Sequence, residues 1–311
     1  MVTLTRPLVR SAWLMAALSV LFGVLLAVDP RVVDGAPAWL KPLKFAVSIG
    51  IYSATFAWVV RALTDAPRLA RLAVTTTVAA LLIEMALIGL QAARGTTSHF
   101  NTSSLFDGAV FTVMGLAIAA QTLVALAVAV ALFRQPFADR AMGWALRLGM
   151  ALTVAGASTG GLMTSPSPAQ IAQFKATGAM PRAGGHTVGA PDGGPGLPGT
   201  GWSQAHGDLR VPHFLGLHAM QALPLVALLV AGVRRERARV VAVLGAAASY
   251  AGLFVILLAQ ALGGESIAAP STTTLTALGA WAALSAGLAL AAWRAAVTRD
   301  VVGARTAMEV A

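Results

Sequence analysis

Runs of roughly 18–25 apolar residues, nearly free of charge, recur along the chain and are separated by shorter polar stretches. As an α-helix, a run of this length crosses a hydrocarbon core of about 30 Å. We place eight predicted spans at 11–28, 43–63, 71–92, 109–133, 145–163, 212–232, 239–262 and 272–294. The pattern predicts an all-α integral membrane protein, a bundle of about eight transmembrane helices in which residues 1–311 form a single polytopic membrane domain.

Composition agrees with this class. The 311 residues are 57% hydrophobic and only 11% charged, which places the chain outside the usual range of soluble globular domains. Arg6 and Arg10 before the first run, with DGAPA after it, also fit a cleaved signal peptide, but the length of the run favours an uncleaved first helix. Cysteine is absent, so disulfides, thiolate metal ligands and dithiol redox chemistry are excluded.

Connections with many basic residues alternate along the chain with connections that have few. If the N-terminus is cytoplasmic, most of the 22 Lys and Arg residues fall on the cytoplasmic side, as the positive-inside rule requires. We therefore predict cytoplasmic N- and C-termini, a cytoplasmic tail at 296–311, and location in the cell membrane, of the bacterial cytoplasmic type. The net charge of +10 is then a signal of topology, so the expected partner is the lipid bilayer and not nucleic acid.

Two pairs of segments hint at an internal duplication. LQAARGTTSHFNTSSL at 90–105 aligns with residues 259–275, and KPLKFAVS at 41–48 aligns with residues 211–218. Both alignments have an offset of about 170 residues. A repeat of four plus four helices would give such an agreement; the alternative is chance similarity between alanine-rich segments.

The longest connection, residues 164–211, is rich in glycine and proline and is predicted to be extracytoplasmic. One interpretation is a flexible linker. The other is an ordered lid, in which glycine permits close backbone approach and His186, Asp192 and Trp202 supply contacts.

Polar side chains gather on the predicted extracytoplasmic side. All the histidines fall there, as do several charged residues; together these are His99, His186, His206, His213, His218, Arg94, Asp107, Asp208 and Arg210. Glu84 is the only acidic residue inside a predicted span. A carboxylate in a membrane is costly unless it is paired, protonated or hydrated, so it marks a candidate functional site.

The stretch HGDLRVPHFLGLHAMQ, residues 206–221, is the densest polar region. Pro212 suits the first turn of a helix, which would place His213 at the water interface, where the helix dipole favours the neutral ring. His218 follows five residues later, about 140° around the helix, so the two histidines are poorly placed for one metal ion. His218 and Gln221 share a helix face.

Three functions that use a chemical site are compatible with these residues. The first is an enzyme or electron carrier, redox-active if it holds haem b or copper, that binds haem b, copper or zinc near the outer face through some of His99, His213 and His218, with Gln221 beside them. A small-molecule substrate or redox partner would dock there. The second is a proton-coupled transporter using Glu84 and His218. The third is a zinc-dependent membrane hydrolase.

The remaining charged residues receive roles in the same predicted site. We assign candidate catalytic roles to Glu84, Arg94, Asp107, Asp208 and Arg210, the arginines pairing with haem propionates or substrate anions. The alternative without site chemistry is a structural or accessory membrane protein.

Overall fold

A computed structural model describes residues 3–297 of the chain. From residue 298 onward, the predicted tail at 296–311 lies outside the described residues. The described chain is dominated by helices. They are α1 Arg6–Val28, α2 Leu40–Ala62, α3 Pro67–Ala93, α4 Leu105–Arg134, α5 Arg140–Met163, α6 Pro168–Thr177, α7 Arg210–Leu217, α8 Ala219–Leu229, α9 Glu236–Leu262 and α10 Thr272–Val297. Two antiparallel pairs of short strands join them, β1 Val32–Val33 with β2 Ala36–Pro37, and β3 Thr187–Val188 with β4 Gly207–Asp208.

Within residues 3–297, six helices are long and apolar enough to cross a membrane, or seven if the bent pair α7–α8 counts as one span. The six are α1, α2, α3, α4, α9 and α10. This supports an all-α polytopic membrane protein, while the count of eight and the sidedness of the termini stay predictions. The fifth predicted span is helix α5, which lies outside this set. Because α5 packs against α4, α7, α8 and α9, much of its surface faces protein and need not be strongly apolar.

The sixth predicted span, 212–232, is not one straight helix. It is divided into α7 and α8, which meet at His218 with a bend of 42°. The Thr153 hydroxyl on α5 supports the break, since it accepts a hydrogen bond from the Met220 amide (3.1 Å) and donates one to the Leu217 carbonyl (3.3 Å). A neighbouring helix thus satisfies backbone groups that a broken helix in a membrane would leave unpaired.

Small residues bring α5 close to the broken span. A side chain at Gly156 would place its Cβ 2.5 Å from the Cα of Gly216, and one at Gly149 would lie 3.0 Å from the Ala219 carbonyl oxygen. Close approach of this kind, through residues without bulky side chains, is the usual way in which membrane helices gain packing energy.

The helices pack in the same order in the two halves of the chain. In the first half α1 packs on α2, α3 on α4, α2 on α3, and α1 on α3. In the second half α5 packs on α7 and α8, α9 on α10, α7 and α8 on α9, and α5 on α9. This order agrees with the predicted four-plus-four repeat, which stays a prediction.

The helix ends divide the connections between two faces. We call one the loop face; it carries residues 29–39, 94–104, 164–209 and 263–271. The other, the turn face, carries the short turns at 63–66, 135–139 and 230–235. The largest buried apolar cluster lies between them and includes Phe56, Leu132 and Met150.

The long segment 164–209 is folded onto the loop face. The Ala183 amide donates to the Phe100 carbonyl (2.9 Å), and the Ser266 hydroxyl donates to the Ser203 carbonyl (2.9 Å). Lys44 of α2 donates to the Thr200 carbonyl (2.8 Å). The segment therefore has the ordered arrangement of the lid interpretation, and not that of a free linker.

Candidate functional site

Glu84 lies on α3 in the half nearer the loop face, with only 4% of its side chain exposed. Its Oε1 is 3.2 Å from Nε2 of His99. Its other oxygen, Oε2, is buried and has no hydrogen-bond partner among the described residues. A buried polar atom of this kind is costly unless water or a ligand satisfies it. The pair is therefore half satisfied by protein, with one oxygen left for another group.

A strained turn brings His99 to Glu84. The following residue, Phe100, has a φ of +60°, which non-glycine residues seldom adopt. Backbone strain of this kind is often found near functional sites. The Phe100 ring is buried against Phe111 at 5.5 Å and against the His186 ring at 4.9 Å. Packing of Phe100 thus offsets the strain of the turn that carries His99.

His186, from the long segment, stands beside this turn and is held by Asp192. The ring Nδ1 is 3.0 Å from Oδ2 of Asp192, and the backbone amides of His186 and Thr187 also donate to that carboxylate. Burial raises the pKa of Asp192, but these hydrogen bonds outweigh it and keep the pKa below its usual range. Asp192 is therefore an anion that orients the His186 ring.

His99 and His186 are neutral near pH 7. Burial lowers the pKa of His99 well below its usual value, and the positive charge of Lys41 lowers it further. Burial also lowers the pKa of His186, although the hydrogen bond with Asp192 opposes this. In the neutral His186 ring, donation from Nδ1 leaves Nε2 as the basic nitrogen.

Lys41, in the first turn of α2, completes what we call the polar cluster: Lys41, Glu84, His99, His186 and Asp192. Its ammonium group lies near enough to Glu84 for their charges to attract. The sequence analysis does not include Lys41 among the candidate site residues. The available signal was a lysine at a predicted span end, which is equally typical of lipid anchors.

His213 lies on α7 and faces α5, not the water interface that its place in the first turn predicts. Its Nδ1 is 2.8 Å from the Gly156 carbonyl oxygen and 3.2 Å from the Thr159 hydroxyl. The close approach of α5 and α7 partly buries the ring, because glycines at the crossing let the backbones meet.

His218 and Gln221 lie at the break between α7 and α8. The His218 ring packs on Phe214 with centroids 4.3 Å apart, and the Gln221 amide donates to the Thr55 hydroxyl (3.3 Å). Among the described residues, the Gln221 side-chain oxygen is buried without a partner. The predicted relay from Glu84 to His218 therefore differs from the observed contact, which joins Glu84 to His99.

Thr77 extends this pattern of unsatisfied atoms along α3. It lies seven residues before Glu84 on the same helix face, roughly 10 Å nearer the turn face. Its hydroxyl is also buried and unpartnered within residues 3–297. Unsatisfied polar atoms thus occur at Glu84 and Thr77 on α3 and at Gln221 on α8.

Arg94 and Asp107 belong to a separate, fully satisfied network. Oδ1 of Asp107 accepts from Arg94 (2.6 Å) and from the Gln91 amide (2.8 Å), and Oδ2 accepts from the Ser104 hydroxyl (2.6 Å). Arg94 also donates to the Gln91 side-chain oxygen. The Ser104 hydroxyl caps α4 by accepting from the Asp107 amide. We call these four residues the corner network, because they join the end of α3 to the start of α4.

Asp208 and Arg210 form a second closed pair. Asp208 has 1% of its side chain exposed, accepts from the Ser203 amide (2.8 Å), and pairs with Arg210 at 2.6 Å. Arg210 donates in addition to the Gly201 carbonyl (2.6 Å). These contacts fix the entry of the chain into α7.

The described residues contain no group of three or more histidine, aspartate or glutamate side chains that could hold a metal ion. His99, His213 and His218, the predicted metal ligands, contact different partners on different elements. This arrangement does not support the metal hypotheses. It fits the zinc hydrolase least well, because a catalytic zinc site needs three protein ligands.

Comparisons of the chain with protein-family models, with curated proteins and with solved structures find no match.

Proposed function

We propose that the protein is a proton-coupled transporter of a small polar solute, in which Glu84 and His99 bind and release the proton. The observation that carries this proposal is the buried Glu84–His99 contact, with the second carboxylate oxygen left without a protein partner. An ionisable pair in a membrane-spanning bundle is a typical proton-relay site. His99 replaces His218 as the partner in the relay.

The proposed cycle uses the two protonation states of the pair. When Glu84 is ionised, the nearby charge of Lys41 and a hydrogen bond from His99 stabilise the anion. When a proton arrives, Glu84 becomes a neutral donor, and its interactions with Lys41 and with a solute at Oε2 both change. Proton binding and solute binding are therefore coupled through one carboxyl group.

Three further features support transport. Thr77 and Gln221 also have buried, unpartnered polar atoms, which water or solute would satisfy. The bent span α7–α8 is of the broken type that transporters use at binding sites. The shared packing order of the two halves fits two repeats related by an axis along the membrane normal.

Two measurements test this function. The first is infrared spectroscopy of the purified protein between pH 5 and 8, which should show a carboxyl C=O band that titrates in the natural protein and is lost in Glu84→Gln. Asp65→Asn, at an exposed carboxylate of the turn face, should keep the band. A protein whose titrating band survives Glu84→Gln would overturn the role of Glu84.

The second measurement is proton flux in liposomes that enclose a pH-sensitive dye. Pools of small carboxylates, amines and sugars are added outside, and we expect one pool to give a solute-dependent pH change. Glu84→Gln should abolish this change and Asp65→Asn should leave it intact. Solute uptake that proceeds without any pH change would contradict proton coupling.

A second candidate is a redox protein that binds haem b or copper, favoured by the orientation of two imidazoles. Nδ1 of His186 faces Asp192, and Nδ1 of His213 faces the Gly156 carbonyl, so Nε2 of each neutral ring is its basic nitrogen. Carboxylate and carbonyl partners of this kind commonly orient metal-binding histidines. Bound haem or copper would supply one-electron chemistry. A Soret band or stoichiometric copper that is lost in His186→Ala would favour this candidate over transport.

A further inference from the structure

An apolar groove of about 500 Å³ opens between α8, α9 and α10, away from the polar cluster. Its walls are alanine, valine and leucine side chains, with Trp293 near one end. Helix α10 packs mainly against α9, and none of its most apolar 18-residue window is buried. The groove therefore faces the lipid and not the protein interior.

The groove has the depth of one membrane leaflet. Its lining on α9 extends from Ala238 to Ser249, and its lining on α10 from Ser285 to Ala296. Each stretch corresponds to roughly 16 Å of helix, about half of a 30 Å hydrocarbon core. A hydrogen bond between the Ser249 and Ser285 hydroxyls (2.7 Å) joins the two helices at the inner end.

The open end of the groove lies at the turn face, beside a basic turn. Val233 and Ala238 both line the groove, and the sequence between them is RRER. Arg234 and Arg237 are exposed there, and Arg239 pairs loosely with Asp139 at 3.6 Å. Positive charge and a leaflet-deep apolar groove thus occur side by side.

We propose that this groove binds an acyl chain of an anionic phospholipid, with the lipid phosphate on the 234–237 turn. Basic residues at the membrane surface attract anionic headgroups, and arginine binds phosphate with paired hydrogen bonds. A free phosphate ion would use only the turn, while in a zwitterionic lipid the ammonium group offsets the charge of the phosphate and weakens its attraction to the turn. The combination selects a lipid that carries a net negative charge, whatever solute the polar cluster binds.

The test is native mass spectrometry of the full chain with added dioleoyl phosphatidylglycerol, and with dioleoyl phosphatidylcholine as the neutral comparison. We expect one phosphatidylglycerol per chain to be retained in preference to phosphatidylcholine. Arg234→Gln with Arg237→Gln should weaken retention on the order of 30-fold, since each basic residue near the surface contributes to the binding of an anionic headgroup. The matched control is Arg68→Gln with Arg71→Gln. Both arginines are exposed at the start of α3, on the turn face but outside the groove, so their replacement should have little effect.

A second pair of variants tests the groove itself. Ala242→Phe places a ring in the groove and should reduce lipid retention, while Ala286→Phe, on an exposed α10 position outside the lining, should not. Equal retention of both lipids, or retention unchanged in Ala242→Phe, would overturn the proposal. A dimer that dissociates on Ala242→Phe would assign the groove to a second copy of the chain, and would also overturn it.

Discussion

Two polar groups share helix α3, and they are built in opposite ways. At the end of the helix, Gln91 and Arg94 join the corner network, in which Asp107 accepts hydrogen bonds at both carboxylate oxygens. Seven residues earlier on the same face, Glu84 has one oxygen against His99 and one without a protein partner. The first group is closed by protein contacts, and the second is left open.

The difference separates residues that hold the fold from residues available for chemistry. A buried network whose members are all satisfied makes a structure more rigid, because breaking any contact leaves a buried group unpaired. A half-satisfied carboxyl group has a cost that only function or hydration explains. We therefore assign Arg94 and Asp107 to positioning of the α3–α4 corner, and keep Glu84 as the centre of the proposed site.

The largest effect is expected when the closed network is broken. Asp107→Ala removes the acceptor of Gln91, Arg94 and Ser104, and should lower the free energy of unfolding by about 2–3 kcal/mol, less than a wholly buried pair because Arg94 is partly exposed. Unfolding in a denaturing detergent titration measures this. Asp65→Ala, at an exposed site, should change the value by no more than about 0.5 kcal/mol. An equally small change in Asp107→Ala would show that the corner is not closed.

A smaller stability effect is expected at the open pair. Glu84→Gln removes a buried charge but keeps the shape, and should change the free energy of unfolding by about 1 kcal/mol or less, in either direction. The same titration gives the value, and a double-mutant cycle with His99→Gln gives the coupling between the two side chains. A loss as large as that of Asp107→Ala would make Glu84 structural and remove the contrast.

Acid should loosen the polar cluster before it loosens the corner. His99 and His186 have lowered pKa values in the folded protein, so the unfolded chain binds protons more readily below the usual histidine pKa of 6.5. The contribution of these two histidines to stability is therefore full above this pH and decreases as the pH falls toward 5.

Hydrogen exchange resolves where this loss occurs. Amides of residues 183–192 should lose protection between pH 7 and 5, after correction for intrinsic rates, while amides at the start of α4 should not, because the corner network contains no histidine. His186→Asn should flatten the dependence. Equal loss at both places would mean that the two regions open as one unit.

The smallest effect sharpens the comparison within the corner. Arg94→Lys keeps the charge beside Asp107 but loses the guanidinium contacts to Gln91 and the packing over the Phe106 ring, whose centroid lies 4.5 Å from the Arg94 guanidinium carbon. We expect a loss of about 0.5–1 kcal/mol in the same titration. A value near zero would mean that charge alone holds the corner.

The long segment 164–209 shows where sequence reasoning stopped. Glycine and proline content fits a flexible linker and an ordered lid equally well, because both avoid regular helix. Contacts with distant parts of the chain decide between the two. The Ala183 amide donates a hydrogen bond to the Phe100 carbonyl, and Lys44 donates one to the Thr200 carbonyl. Helix α6 and the pairing of β3 with β4 within this segment were not predicted.

The sequence by itself determined the class of protein and the places of its long apolar helices, because each apolar run is a local feature whose length matches about 30 Å of hydrocarbon. It also singled out Glu84, since a carboxylate in such a run is conspicuous. Only the tertiary structure decided that His99 is its partner, that Asp107 and Asp208 are closed pairs, and that α7 and α8 are bent at His218. Those outcomes depend on how loops and neighbouring helices meet, through contacts between residues far apart in the chain, which hydrophobic periodicity does not encode.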